Sequence, residues 1–226
     1  MTTQMSIRGV LFDLDGTLLD TAPDMALALN RLLQEQGRPA IAFDQIRPHV
    51  SHGALALIRI GFPDADQEQV ESLRARFLEL YRADLAAETR LFPGFESVLA
   101  ELEARGLPWG VVTNKPAFLT EPLLAATKLS TRARCIVSGD TLPQRKPHPA
   151  PLLHAASLLE LAASDCVYLG DAERDVRAAH AAGMRALIAL FGYLGEHDRP
   201  QSWGADALID EPEQLIDWLN GAASPL

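Results

Sequence analysis

The sequence predicts an α/β protein: a parallel β-sheet covered on both faces by helices, with an all-helical subdomain inserted after the first strand. Three observations predict it. Short, near-continuous apolar runs recur along the chain, as expected of strands buried on both faces. From about Pro93 onward these runs alternate with helical patterns, the signature of a parallel sheet. Between Thr21 and Arg90 the alternation is absent and only helical spacing is found.

The elements follow in order. Val10-Leu11-Phe12 is a first apolar run that ends in carboxylates. Thr21, with Asp24 three residues later, resembles a capping box. Met25, Leu29, Leu32 and Leu33 then keep helical spacing until Gly37-Arg38-Pro39. Val70, Leu73, Phe77, Leu80, Tyr81 and Leu85 form a second helical stripe, read as packing. The later strands are Trp109–Val112, Cys135–Val137, Cys166–Leu169, Ala186–Leu190 and Ala207–Ile209. Helices over Glu96–Arg105 and Glu173–Ala182 stop at Gly106 and Gly183. The expected division is a core of residues 1–20 and 91–226, with a helical block at 21–90.

Composition narrows the function classes. A net charge of −10 and a pI near 5.0 argue against binding nucleic acid or an anionic membrane surface. An acidic protein that handles an anionic substrate needs a local cation to reverse the field. Cys135 and Cys166, the only cysteines, lie in apolar runs and read as small core residues. Met1 to Met5 is polar, without a signal-peptide core, and no run approaches the length of a membrane helix. The expected location is the cytoplasm.

The chemistry gathers at strand ends. Asp13-Leu14-Asp15-Gly16-Thr17 follows the first strand directly. Asp13 and Asp15 project to one side at its carboxyl end, where open α/β sheets place their ligands. Two carboxylates this close repel unless a cation or a proton intervenes. A surface turn rich in Asp and Gly is the plainer alternative, and the preceding strand argues against it. Thr113-Asn114 ends another strand, a position where a helix cap would serve equally well. Lys146 lies in a loop stiffened by Pro147 and Pro149. Only Lys115, Lys128 and Lys146 are lysines among 20 basic residues, so a lysine in a rigid loop points to a compact charge. Asp171 terminates a buried strand. Asp175 lies in the next helix's first turn, where the macrodipole alone would favour it. Together these groups supply a nucleophilic carboxylate, a neighbouring acid/base, hydrogen-bond donors, an ammonium and an acidic metal site, as phosphoryl transfer requires.

These motifs resemble the haloacid dehalogenase superfamily, and within it the phosphoglycolate-phosphatase-like group. Asp13-Leu14-Asp15-Gly16-Thr17-Leu18, Val111-Val112-Thr113-Asn114, Lys146-Pro147-His148-Pro149 and Gly170-Asp171-Ala172-Glu173-Arg174-Asp175 stand in the family's order. The resemblance covers nearly the whole chain. It implies a Rossmann-like core, a helical cap and a Mg²⁺ ion between them, acting on a small-molecule phosphate ester as a monomer or homodimer. It implies that Asp13 becomes phosphorylated and that Asp15 protonates the leaving oxygen, then activates water. Thr113, Asn114 and Lys146 would hold the phosphoryl group. Asp13, the Asp15 carbonyl, Asp171 and Asp175 would surround the metal. Without a His/Cys cluster, a hard ion with oxygen ligands fits better than Zn²⁺.

Ala172 departs from the hydroxyl residue often found there in phosphoglycolate phosphatases. Gly192-Tyr193-Leu194 and Arg199-Pro200-Gln201-Ser202-Trp203-Gly204-Ala205-Asp206 resemble a group acting on N-acetylmuramic acid 6-phosphate, the alternative substrate. Asp15 argues against a dehalogenase, Thr17 against a mutase, and the intact motif set against a non-enzymatic relic. In the inserted block, Arg47-Pro48-His49-Val50-Ser51-His52-Gly53 is the polar, basic stretch. It is either an ordinary connector broken by Pro48 or a loop from which Arg47 or His52 grips the substrate's carboxylate or sugar end.

Overall fold

The computed structural model describes residues 7–221, so the N-terminal Met1–Met5 stretch, and the reading made of it, lies outside the described residues. The chain opens on β1 (Gly9–Phe12), and a tight turn leads to β2 (Leu19–Asp20). Four helices follow: α1 (Ala22–Glu35), α2 (Phe43–Ile46), α3 (Gly53–Gly61) and α4 (Gln67–Ala83), with a 3-10 turn at Arg47–His52. β3 (Arg90–Leu91) pairs antiparallel with β2, so the chain leaves and re-enters the core at adjacent points. Then come α5 (Phe95–Ala104), β4 (Trp109–Val112), α6 (Ala117–Ala126), β5 (Cys135–Val137), α7 (Ala150–Leu158) and β6 (Cys166–Gly170). α8 (Glu173–Ala181), β7 (Arg185–Ala189), β8 (Ala207–Ile209) and α9 (Gln214–Leu219) complete the chain.

The six longer strands form one parallel sheet in the order β5-β4-β1-β6-β7-β8. Every residue of β1, β4 and β6 is buried, as their unbroken apolar sequences require. Alternate side chains serve opposite faces. Val10, Phe12, Val111, Val167 and Leu169 join one cluster with α5, where Phe12 meets Phe95 edge-on at 5.6 Å. Leu11, Val112, Val137, Tyr168 and Ile188 join a second with α7 and α8. Cys135 and Cys166 are buried and unpaired in this second cluster, as expected of small core residues. Strand order reverses between β1 and β6, the crevice where such sheets take their ligands. Among the described residues no helix is long and apolar enough to cross a membrane.

In the helical block, Leu29, Leu32 and Leu33 of α1, Leu57 and Ile58 of α3, and Val70, Phe77 and Tyr81 of α4 are buried in the same cluster as one face of the sheet. Leu85, read as part of the second stripe, lies beyond the end of α4. The capping box stands elsewhere than expected. At α1 neither half forms: the Thr21 hydroxyl donates to Asp15 Oδ1 at 2.6 Å. Asp24 instead accepts from the main-chain N–H of Glu88 (2.8 Å) and from the N–H and hydroxyl of Thr89 (2.9 and 2.7 Å). A box does form at α4, between Asp66 and Gln69. Nor does Pro48 break a helix. It occupies the first turn of the 3-10 segment, where a missing N–H goes unmissed.

Buried Asp24 thus fastens the segment that returns to the core. Asp24→Asn, whose amide offers one acceptor oxygen for three donors, is expected to lower unfolding stability by about 2 kcal/mol. Urea denaturation would check this, and a midpoint equal to wild type would show that water satisfies those donors instead.

Candidate active site

The site lies at the carboxyl ends of β1, β4 and β6. Asp13 follows β1, and its N–H donates to the Leu169 carbonyl of β6 at 2.9 Å, fixing it beside Asp171. Asp13 Oδ1 accepts from the Leu14 N–H at 2.7 Å and lies 2.9 Å from Lys146 Nζ. Oδ2 makes no hydrogen bond within the described residues, and Arg174 Nη2 stands 3.7 Å from it. Burial raises the Asp13 carboxyl above its ordinary value, partly offset by Lys146.

Lys146 has no exposed side-chain surface. Its ammonium contacts Asp13, Asp175 Oδ1 (2.8 Å) and the Tyr168 hydroxyl (2.6 Å), which in turn donates to the Val112 carbonyl. Asn114 holds the loop that delivers it: Nδ2 donates to the Lys146 carbonyl at 3.0 Å, and Oδ1 accepts the Lys146 N–H at 3.1 Å. Thr113, also buried, accepts the Lys115 N–H on its hydroxyl at 3.1 Å.

Asp13, Asp171 and Asp175 are buried and each offers a carboxylate oxygen within 4.8 Å of the other two. Asp171 Oδ2 accepts from the Tyr193 N–H (3.0 Å) and the Ser51 hydroxyl (2.5 Å), whereas buried Oδ1 has no donor among the described residues. Burial, and behind it the Asp13 and Asp175 charges, push Asp171 up to about 7, with Arg174 opposing. Burial also acts to raise Asp175, but Lys146 and Arg174 outweigh it and hold that carboxyl below its usual value. An acceptor-only, orphaned oxygen among three converging carboxylates fits a hard divalent cation. The approach is close because Gly16 (φ +80°) and Gly192 lack side chains. A Cβ on Gly16 would lie 2.1 Å from Asp171 Oδ2, and one on Gly192 2.4 Å from Asp171 Cβ.

Asp15 is set differently. Its Oδ1 accepts from Lys115 Nζ at 2.8 Å and from the Thr21 hydroxyl. Lys115 is buried with its ammonium 4.7 Å from the Tyr81 ring centroid. Burial alone would depress Lys115, but the Asp15 charge reverses the sign and keeps it protonated.

The turn at Arg47–His52 lies against the core. Arg47 donates to the Phe191 and Gly192 carbonyls, each at 3.0 Å, and stacks on the Tyr193 ring. His52 is held below its usual pKa by burial and then by the charge of Arg174.

Asp13, Lys146, Asp171 and Asp175 therefore come together, with Asp15 beside them. Sequence reasoning did not single out Lys115, Ser51, Arg174 or Tyr193 as partners of these groups. Lys115 had a signal, being a lysine in an arginine-rich chain beside a strand-end motif. Ser51 and Tyr193 carry none, because their contacts join segments far apart in sequence.

A sequence model of the haloacid dehalogenase-like hydrolase family matches residues 10–189. The chain is 48% identical over 208 residues to a phosphoglycolate phosphatase of Xanthomonas campestris pv. campestris, covering 92% of this chain and 94% of that one. It is 40% identical over 219 residues to an N-acetylmuramic acid 6-phosphate phosphatase of Pseudomonas putida, covering 96% and 98%. Among solved structures, a predicted phosphoglycolate phosphatase from Haemophilus somnus 129PT superposes with a TM-score of 0.85 at 26% identity, over 95% of this chain and 99% of that one.

Proposed function

The chain belongs to the haloacid dehalogenase-like hydrolases, and from that premise we propose that it hydrolyses small phosphate monoesters, 2-phosphoglycolate foremost, through a phosphorylated Asp13. The observation that carries this reading is the division of labour on Asp13. One oxygen is fixed by the Leu14 N–H and Lys146, and the other is left without a hydrogen bond beside Arg174.

In the first step Asp13 Oδ2 bonds to phosphorus as the ester P–O bond breaks. Asp15 passes a proton to the leaving oxygen and is left as the carboxylate that Lys115 faces. In the second, Asp15 takes a proton from water as that water bonds to phosphorus, and the bond to Asp13 breaks to release inorganic phosphate. The Thr113 hydroxyl and the main-chain N–H of Asn114 take phosphoryl oxygens, and Lys146 balances the charge of Asp13. Asp13, Asp171 and Asp175, with the Asp15 carbonyl, would hold Mg²⁺, which supplies positive charge to offset that of the phosphate. His52 faces the substrate's far end, and Arg47 orients the turn that carries it. The helical block at 21–90 acts as the cap over the core at 1–20 and 91–226. The site is built from one chain, consistent with a monomer or homodimer. The unpaired thiols suit the reducing cytoplasm.

A second reading, N-acetylmuramic acid 6-phosphate, is supported by the similarity to the Pseudomonas putida protein. Phosphate release from 2-phosphoglycolate, N-acetylmuramic acid 6-phosphate and p-nitrophenyl phosphate, each with Mg²⁺, separates the two. The expected result is the highest kcat/KM on 2-phosphoglycolate. A higher value on the sugar phosphate would replace it, and no phosphate release from any ester would remove the phosphatase reading.

A further inference from the structure

We propose that Tyr193 is a positioning residue that holds the acid/base Asp15 in register with the metal-site carboxylate Asp171, acting through the N-terminus of α1. The proposal rests on the reading of Asp15 given above.

The first N–H groups at the start of α1 need acceptors. Those of Thr21 and Ala22 find theirs in a residue far along the chain. Tyr193 Oη accepts from the Thr21 N–H at 2.6 Å and from the Ala22 N–H at 2.9 Å, and donates its own proton to Asp20 Oδ1 at 2.8 Å. With its main chain so held, Thr21 is free to turn its hydroxyl away from the helix and onto Asp15 Oδ1. The same tyrosine reaches the metal site by its main chain, through the N–H that donates to Asp171 Oδ2. Its ring lies 5.0 Å from the Arg47 guanidinium carbon, so the cap turn rests on it as well.

Tyr193 is 1% exposed, and its hydroxyl is spent on Thr21, Ala22 and Asp20, none of which the proposed reaction uses. Its effect must therefore pass through Thr21. A fixed Asp15 matters most where the leaving oxygen is a poor one, because an alkoxide needs a proton as it departs and a nitrophenolate does not. kcat/KM reports the steps up to formation of the phosphorylated Asp13, in which that proton is delivered.

Tyr193→Phe keeps the ring, the Arg47 contact and the main-chain bond to Asp171, and removes only the hydroxyl's three hydrogen bonds. The experiment compares kcat/KM on the preferred alkyl phosphate and on p-nitrophenyl phosphate for wild type, Asp15→Asn and Tyr193→Phe. Expected for both variants is a loss at least tenfold larger on the alkyl ester than on the aryl ester, with Mg²⁺ affinity of Tyr193→Phe by calorimetry within threefold of wild type. Equal losses of Tyr193→Phe on both esters, or none on either, would overturn the proposal while leaving Asp15 in its role. If Asp15→Asn itself shows no difference between esters, the reading of Asp15 falls and this inference with it. Should Tyr193→Phe not fold, Thr21→Val, which removes only the last link to Asp15, carries the same expectation, and equal losses there overturn it.

Discussion

Asp13→Asn is expected to abolish phosphate release, by about four orders of magnitude or more in kcat, roughly 5.5 kcal/mol, while the protein stays folded. The geometry explains both halves. An asparagine Oδ1 can keep the Leu14 N–H and the Lys146 contact that Asp13 Oδ1 now makes. Lys146 retains Asp175 and Tyr168 as partners, so no buried charge is stranded. What changes is the atom beside Arg174: an amide nitrogen, whose lone pair is delocalised, replaces the carboxylate oxygen that would attack phosphorus. Single-turnover assays with mass spectrometry of the protein provide the check. Wild type should gain one phosphoryl group on Asp13 and the variant none. Near-native turnover, with hydrolysis of the amide back to Asp excluded by mass, would show that another residue is the nucleophile.

Removal of the metal with EDTA is expected to stop turnover, and added Mg²⁺ to restore it. The affinity itself should depend on pH in a definite sense. The Asp171 carboxyl lies at about 7 in the metal-free protein, against an ordinary 3.8. In that form the stability tied to its bound proton is fully present below about 4 and is lost as pH rises through 7. A metal ion needs the carboxylate, so it competes with that proton. Mg²⁺ affinity should therefore climb by up to tenfold per pH unit between 5 and 7, then level off. Calorimetry in buffers of differing ionisation enthalpy should count about one proton released per ion at pH 6 and almost none at pH 8.5. Affinity that is flat from pH 5 to 8 would mean that Asp171 is not the residue the metal displaces a proton from.

The strand ends are legible in the sequence because a strand buried on both faces must be apolar throughout, so its first polar residue marks where it emerges. That rule finds Asp13, Thr113 and Asp171 at one edge of the sheet. The helix stops at Gly106 and Gly183 are legible for a similar reason, since both glycines take a left-handed φ (+68° and +75°). Tertiary contacts are where local reasoning fails. Thr21 and Asp24 have the spacing of a capping box, but Asp15 and the Glu88–Thr89 main chain compete for them and win, while Tyr193 caps the helix from another part of the chain. Arg47 is equally opaque. Nothing near it in sequence announces the Phe191 and Gly192 carbonyls that receive its guanidinium.

The strand that carries Asp13 has a further consequence for how the chain is made. β1 leaves the ribosome well before its partners, Trp109 to Val111 on one side and Cys166 to Leu169 on the other. The contacts among α1, α3 and α4 can form once α4 has been synthesised, and they span far shorter stretches of chain. β1 must therefore stay unpaired through the whole of that block, and half-paired until β6 emerges. Long-range closures of this kind slow folding and leave apolar edges open to wrong partners. At four residues, Gly9 to Phe12, the waiting strand offers such partners little to grip.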